Sequence, residues 1–198
     1  MGEFLADFPV ITTNRLVIRE PQEKDAELLY QEFANPNVTR YLDWGGPHST
    51  EQALACIADW RDEFEKKNFI SWAIAEKNTD EFLGTIVIST RNRDPQYGLF
   101  THEIAEVISL GYNLREEHWG KGYMTEAVTA VLALVFDNIR TPRVEACVHP
   151  ENTASLKLLE KLHFSREGLL RKYWFNNQTR RHDDMVILSI LPQEFEVN

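Results

Sequence analysis

The stretch that decides the reading of this chain is Leu114 to Glu126, LREEHWGKGYMTE. Before it lies an alternating run, roughly Glu103 to Leu114, which predicts a strand. After it comes Met124 to Asn138, where Ala127, Val128, Val131, Leu132, Val135 and Phe136 cover most of a helical surface. Gly120 and Gly122 therefore sit at a strand-to-helix turn, where glycines let backbone come close to a ligand. The helix start offers unpaired N–H groups and the positive end of its dipole. The segment is an anion site made of backbone. It matches neither G-x-x-x-x-G-K-[ST] nor a completed G-x-G-x-x-G, so the common nucleotide-phosphate motifs are excluded.

Working outward, Thr12 to Arg19 alternates as a strand, and Ala26, Leu29, Tyr30 and Phe33 mark a helix that stops before Asn35-Pro36. A second helix opens at Ser49, with Gln52 at capping-box spacing, and buries Ala53, Ile57, Trp60 and Phe64. Ile70 to Ala75 and Phe82 to Thr90 predict a hairpin around 77–81. Downstream, Arg143 to Val148 reads as a strand, Asn152 to His163 as a helix, and Phe164 to Trp174 and Met185 to Leu191 as closing strands. The order β-α-α-β-β-β-α-β-α-β-β predicts a mixed α/β fold. Its sheet is largely antiparallel, with one parallel crossover around the third helix. One domain over 12–191 with short tails, 1–11 and 192–198, accounts for all 198 residues.

Composition narrows the function. With 31 Asp plus Glu against 21 Lys plus Arg, the formal charge is -10, which disfavours a phosphate-backbone partner and makes nucleic acid a poor expectation. The richest apolar run, Ala127 to Phe136, is about half the ~18 residues that span a bilayer, and the N-terminus lacks signal-peptide order. No membrane association and a cytoplasmic location are expected. Cys56 and Cys147 show neither redox nor zinc spacing and read as reduced, buried thiols; the six histidines form no ligand motif, so no metal is expected.

A second motif follows the first at a telling distance: Asn152-Thr153-Ala154-Ser155, then Glu160-Lys161-Leu162-His163-Phe164. Together with Trp119-Gly120-Lys121-Gly122-Tyr123-Met124-Thr125-Glu126-Ala127 and the opening Thr13-Asn14-Arg15-Leu16, it resembles the GNAT acetyltransferase superfamily. Within that superfamily the similarity is to the ribosomal-protein N-terminal (RimJ/RimL-like) branch. The resemblance runs from about Thr12 to Leu191 and implies an acetyl-CoA-dependent N-acetyltransferase. Acetyl-CoA is expected between the strand ending at Leu114 and the strand Arg143 to Val148. Backbone from His118 through Trp119, Gly120, Lys121, Gly122, Tyr123 and Met124 would take the pyrophosphate. Leu114 N–H would hold the oxyanion, Asn152 would cap its helix beside the pantetheine arm, and Ser155 would face the leaving sulfur.

Three positions depart from the family pattern. Glu117 stands where Gln or Arg is frequent, Leu159 where many members carry a tyrosine general acid, and His163 where a glycine precedes the Phe. Leu159 leaves Ser155 or a bound water as the proton donor. Glu103 and Glu106, with His102 nearby, are candidate bases, each with the alternative of a solvated strand-edge charge. Tyr41 and Trp44, in the turn-rich loop between the first two helices, and Asp183 are candidate acceptor ligands. The acceptor class is a primary amine: a protein N-terminus first, a small cationic amine as the alternative, and outside catalysis an acyl-CoA-binding module. Pairing of the closing strands across a homodimer is left open.

Overall fold

One parallel pairing in an otherwise antiparallel sheet positions the site. The computed structural model describes residues 7–90 and 107–195. Its strands are β1 (Ile11–Thr12), β2 (Leu16–Arg19), β3 (Phe69–Glu76), β4 (Phe82–Thr90), β5 (Ile108–Leu114), β6 (Val144–Val148), β7 (Ser165–Asn176) and β8 (Arg181–Ile190). They form a single eight-stranded sheet in the order β1-β2-β3-β4-β5-β6-β8-β7. Only β5 and β6 run parallel, and they pair only at Ile108↔Val144 and Ser109↔Glu145. Beyond that point β5 follows β4 as far as Gly84↔Leu114, while β6 follows β8 as far as Val148↔Val186. Each strand keeps its outer partner, so the two part and a cleft opens in the middle of the sheet.

Gly84 keeps the end of β5 where it is. A Cβ there would lie 2.3 Å from the Asn113 carbonyl oxygen and 2.8 Å from Leu114 Cα, so no other residue allows this approach.

Helices α1 (Ala26–Ala34), α2 (Pro36–Thr39), α3 (Thr50–Glu65), α4 (Tyr123–Leu134) and α5 (Thr153–Lys161) cover the two faces. Alternation along β3 sorts them. Trp72 and Ile74 belong to the core that holds Val128, Val131 and Leu132 of α4 and Leu156 and Leu159 of α5. Ala73 belongs to the core of α1 and α3, with Leu29, Phe33, Ala53 and Ile57. Each large aliphatic side chain buried this way contributes roughly 1.5–3 kcal/mol. Among the described residues, no helix is long and apolar enough to cross a membrane.

The expected class and crossover are as found, and several boundaries differ. The single strand Thr12 to Arg19 is two short strands paired with each other, because the Thr13 N–H donates to the Leu16 carbonyl and reverses the chain. Ser49 Oγ accepts from Gln52 N–H as the capping pattern predicts, but the Gln52 side chain takes the His48 N–H. Trp60 and Phe64 are only partly buried, being at the rim of α3, and Cys56 and Cys147 are half-buried and not disulfide-bonded. The helix from Met124 to Asn138 is α4 plus a wider turn, Val135–Ile139, ended by Arg140 at φ 57°. Strands β7 and β8 are longer than expected and meet in a tight turn, so Asp183 and Asp184 stand on β8.

Candidate active site

The hydrogen bonds of β5 show which of its amides are free to act. Ile108 N–H donates to the Arg143 carbonyl beside β6, and Arg115 N–H donates to Leu83 on β4. Successive N–H groups of a strand point to opposite sides, so those of Tyr112 and Leu114 face β6. There β6 has already moved away, and the two amides look into the cleft. The Leu114 carbonyl lies on the same side and accepts from Trp119 Nε1 at 2.7 Å, which ties the end of β5 to the following loop.

That loop is braced from beneath. The Arg115 guanidinium donates to the Phe82 carbonyl at 2.9 Å and pairs with Glu81 and Glu117. Glu116 accepts from Asn35 and Asn37 at the α1–α2 junction. Gly120 and Gly122 have φ of 70° and 80°, the left-handed region that glycine enters without strain. Gly122 is the N-cap of α4 and has no side chain to occupy the N–H groups of the first turn, which include those of Tyr123 and Met124.

The opening motif meets the loop here. Thr13 Oγ1 and Arg15 Nε both donate to the Glu126 carboxylate at 2.6 Å, Arg15 Nη1 donates to the Lys121 carbonyl, and the guanidinium lies 4.5 Å from the Tyr123 ring centre. Burial works to raise the Glu126 carboxyl, and these bonds outweigh it, so Glu126 sits below the usual carboxylate range. His118, at the end of the loop's first turn, is pushed down by burial and by the charge of Arg115, which favours its neutral form.

The cleft itself has a volume of about 310 Å³. Asn152 caps α5 by accepting the Ser155 N–H at 3.2 Å, and the Ser155 hydroxyl lies 2.7 Å from the Tyr112 hydroxyl across the cleft. Burial pushes the Tyr112 phenol up to about 12, with the Ser155 bond pulling the other way. At the far end, Tyr41 stacks on His149 with ring centres 5.0 Å apart, and Trp44 packs on Phe33. The β7–β8 turn holds that loop over the cleft: Gln178 Nε2 donates to the Leu42 and Trp44 carbonyls, and Asn177 N–H to Asp43. Asp183 accepts from Asn176 at 2.9 Å and lines the cleft beside Trp174. Asp184 instead takes the Lys172 N–H on the outer strand.

Asn152, Ser155, Tyr41, Trp44 and Asp183 thus line one cleft; Leu114 ends strand β5, whose residues 109–113 line it, and the stretch from His118 to Met124 leads away from that end. Glu103, Glu106 and His102 lie outside the described residues. Among the described residues no His, Cys, Asp and Glu side chains cluster as a metal site. Sequence reasoning missed Tyr112, and the period of two could have found it. Tyr112 shares its sheet face with Leu110 and Leu114, the face that α5 covers.

Comparison with known proteins agrees with this geometry. The family model described as acetyltransferase (GNAT) domain matches residues 15–165. An uncharacterized N-acetyltransferase of Bacillus subtilis, YoaA, is 33% identical over 187 residues, covering 94% of this chain and 99% of its own. The [ribosomal protein uS5]-alanine N-acetyltransferase of Escherichia coli is 25% identical, with 87% of each chain covered. Among solved structures, Mycobacterium smegmatis RimJ in complex with CoA-disulfide superposes with a TM-score of 0.78 at 21% identity, covering 96% of this chain and 90% of that one. The family model spans most of the chain and the B. subtilis relative nearly all of it, so this protein belongs to the GNAT acetyltransferase family and is an N-acetyltransferase.

Proposed function

We propose that this N-acetyltransferase takes its acetyl group from acetyl-CoA and passes it to a primary amine, with a protein N-terminal α-amino group of the ribosomal-protein type as the acceptor. The observation that carries the reading is the parting of β5 from β6, with the Leu114 N–H facing the gap and Ser155 on the opposite wall. The residues present fit acetyl-CoA. The uncapped start of α4 and the two left-handed glycines supply N–H groups for a pyrophosphate, and the narrow gap admits an extended arm. The similarity to a relative named for ribosomal protein uS5 supports the acceptor class. A cytoplasmic location goes with that reading.

In this mechanism the Leu114 N–H, fixed before reaction, donates to the oxygen that gains charge as the amine attacks. Ser155 supplies a proton to the departing sulfur. An α-amino group with pKa of about 7.8 is roughly one-tenth neutral at pH 7, whereas a lysine at about 10.4 is neutral in well under one molecule in a hundred. The site therefore needs less help from a base for an N-terminus than for a lysine. Asp183 and Asp43, beside Tyr41, Trp44 and Trp174, suit an acceptor that arrives as a cation. That same set favours a small cationic amine as the second reading.

Calorimetry with acetyl-CoA, followed by free-thiol release over an acceptor panel, tests the proposal. The panel contains peptides with the N-terminal sequences of ribosomal proteins, the same peptides Nα-blocked but carrying a lysine, and polyamines. Turnover with the free N-termini alone is the expected result. Turnover confined to polyamines selects the second reading, and absence of acetyl-CoA binding at millimolar concentration rejects both.

A further inference from the structure

We propose that Tyr112 and Ser155 form a two-hydroxyl proton relay for the leaving thiolate, Tyr112 acting through Ser155 as a positioning residue. The inference rests on the acetyl-transfer reading above. It begins with a difficulty in that reading: an aliphatic hydroxyl is a weak acid, and a serine that gave up its proton alone would be left as an alkoxide, a stronger base than the thiolate it served. The helix position at which the family resemblance leads one to expect a tyrosine holds Leu159 here, wholly buried in the core.

A phenol reaches the same place from another element. Tyr112 stands on β5, two residues before Leu114, and its hydroxyl is 2.7 Å from Ser155 Oγ, a full hydrogen bond from β5 to α5. Three features hold the pair. The Ser155 backbone is fixed by Asn152 Oδ1, the Tyr112 ring packs against the core under α5, and both residues line the cleft. Burial keeps the phenol protonated throughout the working pH range. Ser155 is in the first turn of α5, so the helix dipole favours the negative charge that passes through its oxygen.

The step balances as follows. The amine nitrogen forms the C–N bond, the C–S bond breaks, and its electron pair goes to sulfur. Ser155 Oγ–H gives its proton to sulfur as Tyr112 Oη–H gives its own to Ser155 Oγ. The proton that the nitrogen must lose returns to Tyr112 through a cleft water. No ion is left behind on the protein.

Tyr112→Phe removes one hydroxyl and keeps the ring. With the N-terminal peptide acceptor identified by the panel, we expect kcat to fall at least tenfold while CoA affinity by calorimetry stays within threefold. Ser155→Ala is expected to fall as far, and the double variant no further than Ser155→Ala alone. A proton inventory in mixed H2O and D2O supplies a readout that mere packing does not move. It should be curved in wild type, with two protons in flight, and linear in Tyr112→Phe. If Tyr112→Phe does not fold, Ser155→Thr against Ser155→Ala carries the test, since only the hydroxyl-bearing variant should keep the curvature. An active wild type with Tyr112→Phe within twofold of it, or with multiplicative losses in the double variant, overturns the relay alone. A wild type that binds acetyl-CoA yet releases no thiol with any amine overturns acetyl transfer and the relay with it.

Discussion

The two ends of the cleft are made of different material. Toward α4 the site is backbone: the Leu114 amide, two left-handed glycines and the open first turn of a helix. Toward the β7–β8 turn it is side chains, with Tyr41, Trp44, Trp174, Asn176 and Asp183 brought in from the α2–α3 loop and the last two strands. The difference follows from charge. On the proposed function, a chain with a formal charge of -10 would meet a polyanion against its own field, and even the nearby Arg115 is neutralised by Glu81 and Glu117. Backbone dipoles carry no net charge and escape that penalty. At the end proposed for the acceptor the surplus of carboxylates would work in favour of a cation instead, and side chains can express it.

The strongest way to break this division is at the seam where both ends meet. Gly84→Val places a branched side chain where Asn113 O and Leu114 Cα already stand at 2.3 and 2.8 Å from a Cβ. Strand β5 must shift, and both the oxyanion amide and Tyr112 shift with it. A loss of about 3 kcal/mol in denaturant stability is expected, together with a fall in kcat of about a hundredfold in whatever fraction folds. Wild-type kcat in the folded fraction would mean that the end of β5 takes no part in the chemistry.

The end proposed for the cofactor also lies near a buried acid, and this gives a pH-dependent test. Glu32 on α1 is fully buried with no hydrogen-bond partner among the described residues. Burial pushes its carboxyl up to about 8, partly opposed by Arg115. In the unfolded chain the same group ionises near 4.5. Between those values unfolding releases a proton, so stability is full below about pH 4.5 and falls as pH rises toward 8. Glu32→Gln keeps the shape and cannot ionise. It should exceed wild type by about 1 kcal/mol at pH 5 and by about 4 kcal/mol at pH 7.5 in urea melts. Parallel pH profiles for the two proteins would show that Glu32 has a partner or water that this reading lacks.

The same division explains what was legible in the sequence. The backbone end is written locally: Gly120 and Gly122 must take left-handed backbone at a strand-to-helix junction, and Asn152 with Ser155 must cap a helix, so thirteen-residue windows carried those roles. The sheet class was legible for a similar reason, since Ile70 to Ala75 and Phe82 to Thr90 alternate within themselves. The acceptor end depends on which strands lie side by side. Asp183 fell between the two closing strands read from the sequence because β8 begins four residues before its first strongly apolar residue, Met185, and Gln178 gains its meaning only when its turn reaches the Leu42 and Trp44 carbonyls. Tyr112 had the right period, yet its partner lies 43 residues away on another element.

A smaller effect separates the ends cleanly. A Cβ at Gly122 would meet only Arg15 Nη2 at 3.5 Å, an ordinary contact, so the cost of Gly122→Ala is the left-handed backbone at φ 80° and not a clash. That strain is about 1–2 kcal/mol and falls on the first turn of α4. KM for acetyl-CoA should rise about tenfold while KM for the amine stays within twofold. A rise in both would mean that the loop governs the whole cleft.

Asp183→Asn is the reciprocal change and the mildest. The new side chain has the same shape, and its oxygen can still accept from Asn176, so only the charge is lost. A partly exposed carboxylate facing a cation at about 4 Å is worth about 1 kcal/mol, the bulk-water figure. KM for a cationic N-terminal peptide should therefore rise about fivefold, with KM for acetyl-CoA unchanged. Raising the salt should weaken peptide binding in wild type and do so less in the variant, because the ion pair that salt screens is already gone. Equal salt dependence in both would place the cation-attracting charge elsewhere, with Asp43 the next carboxylate on the cleft wall to change.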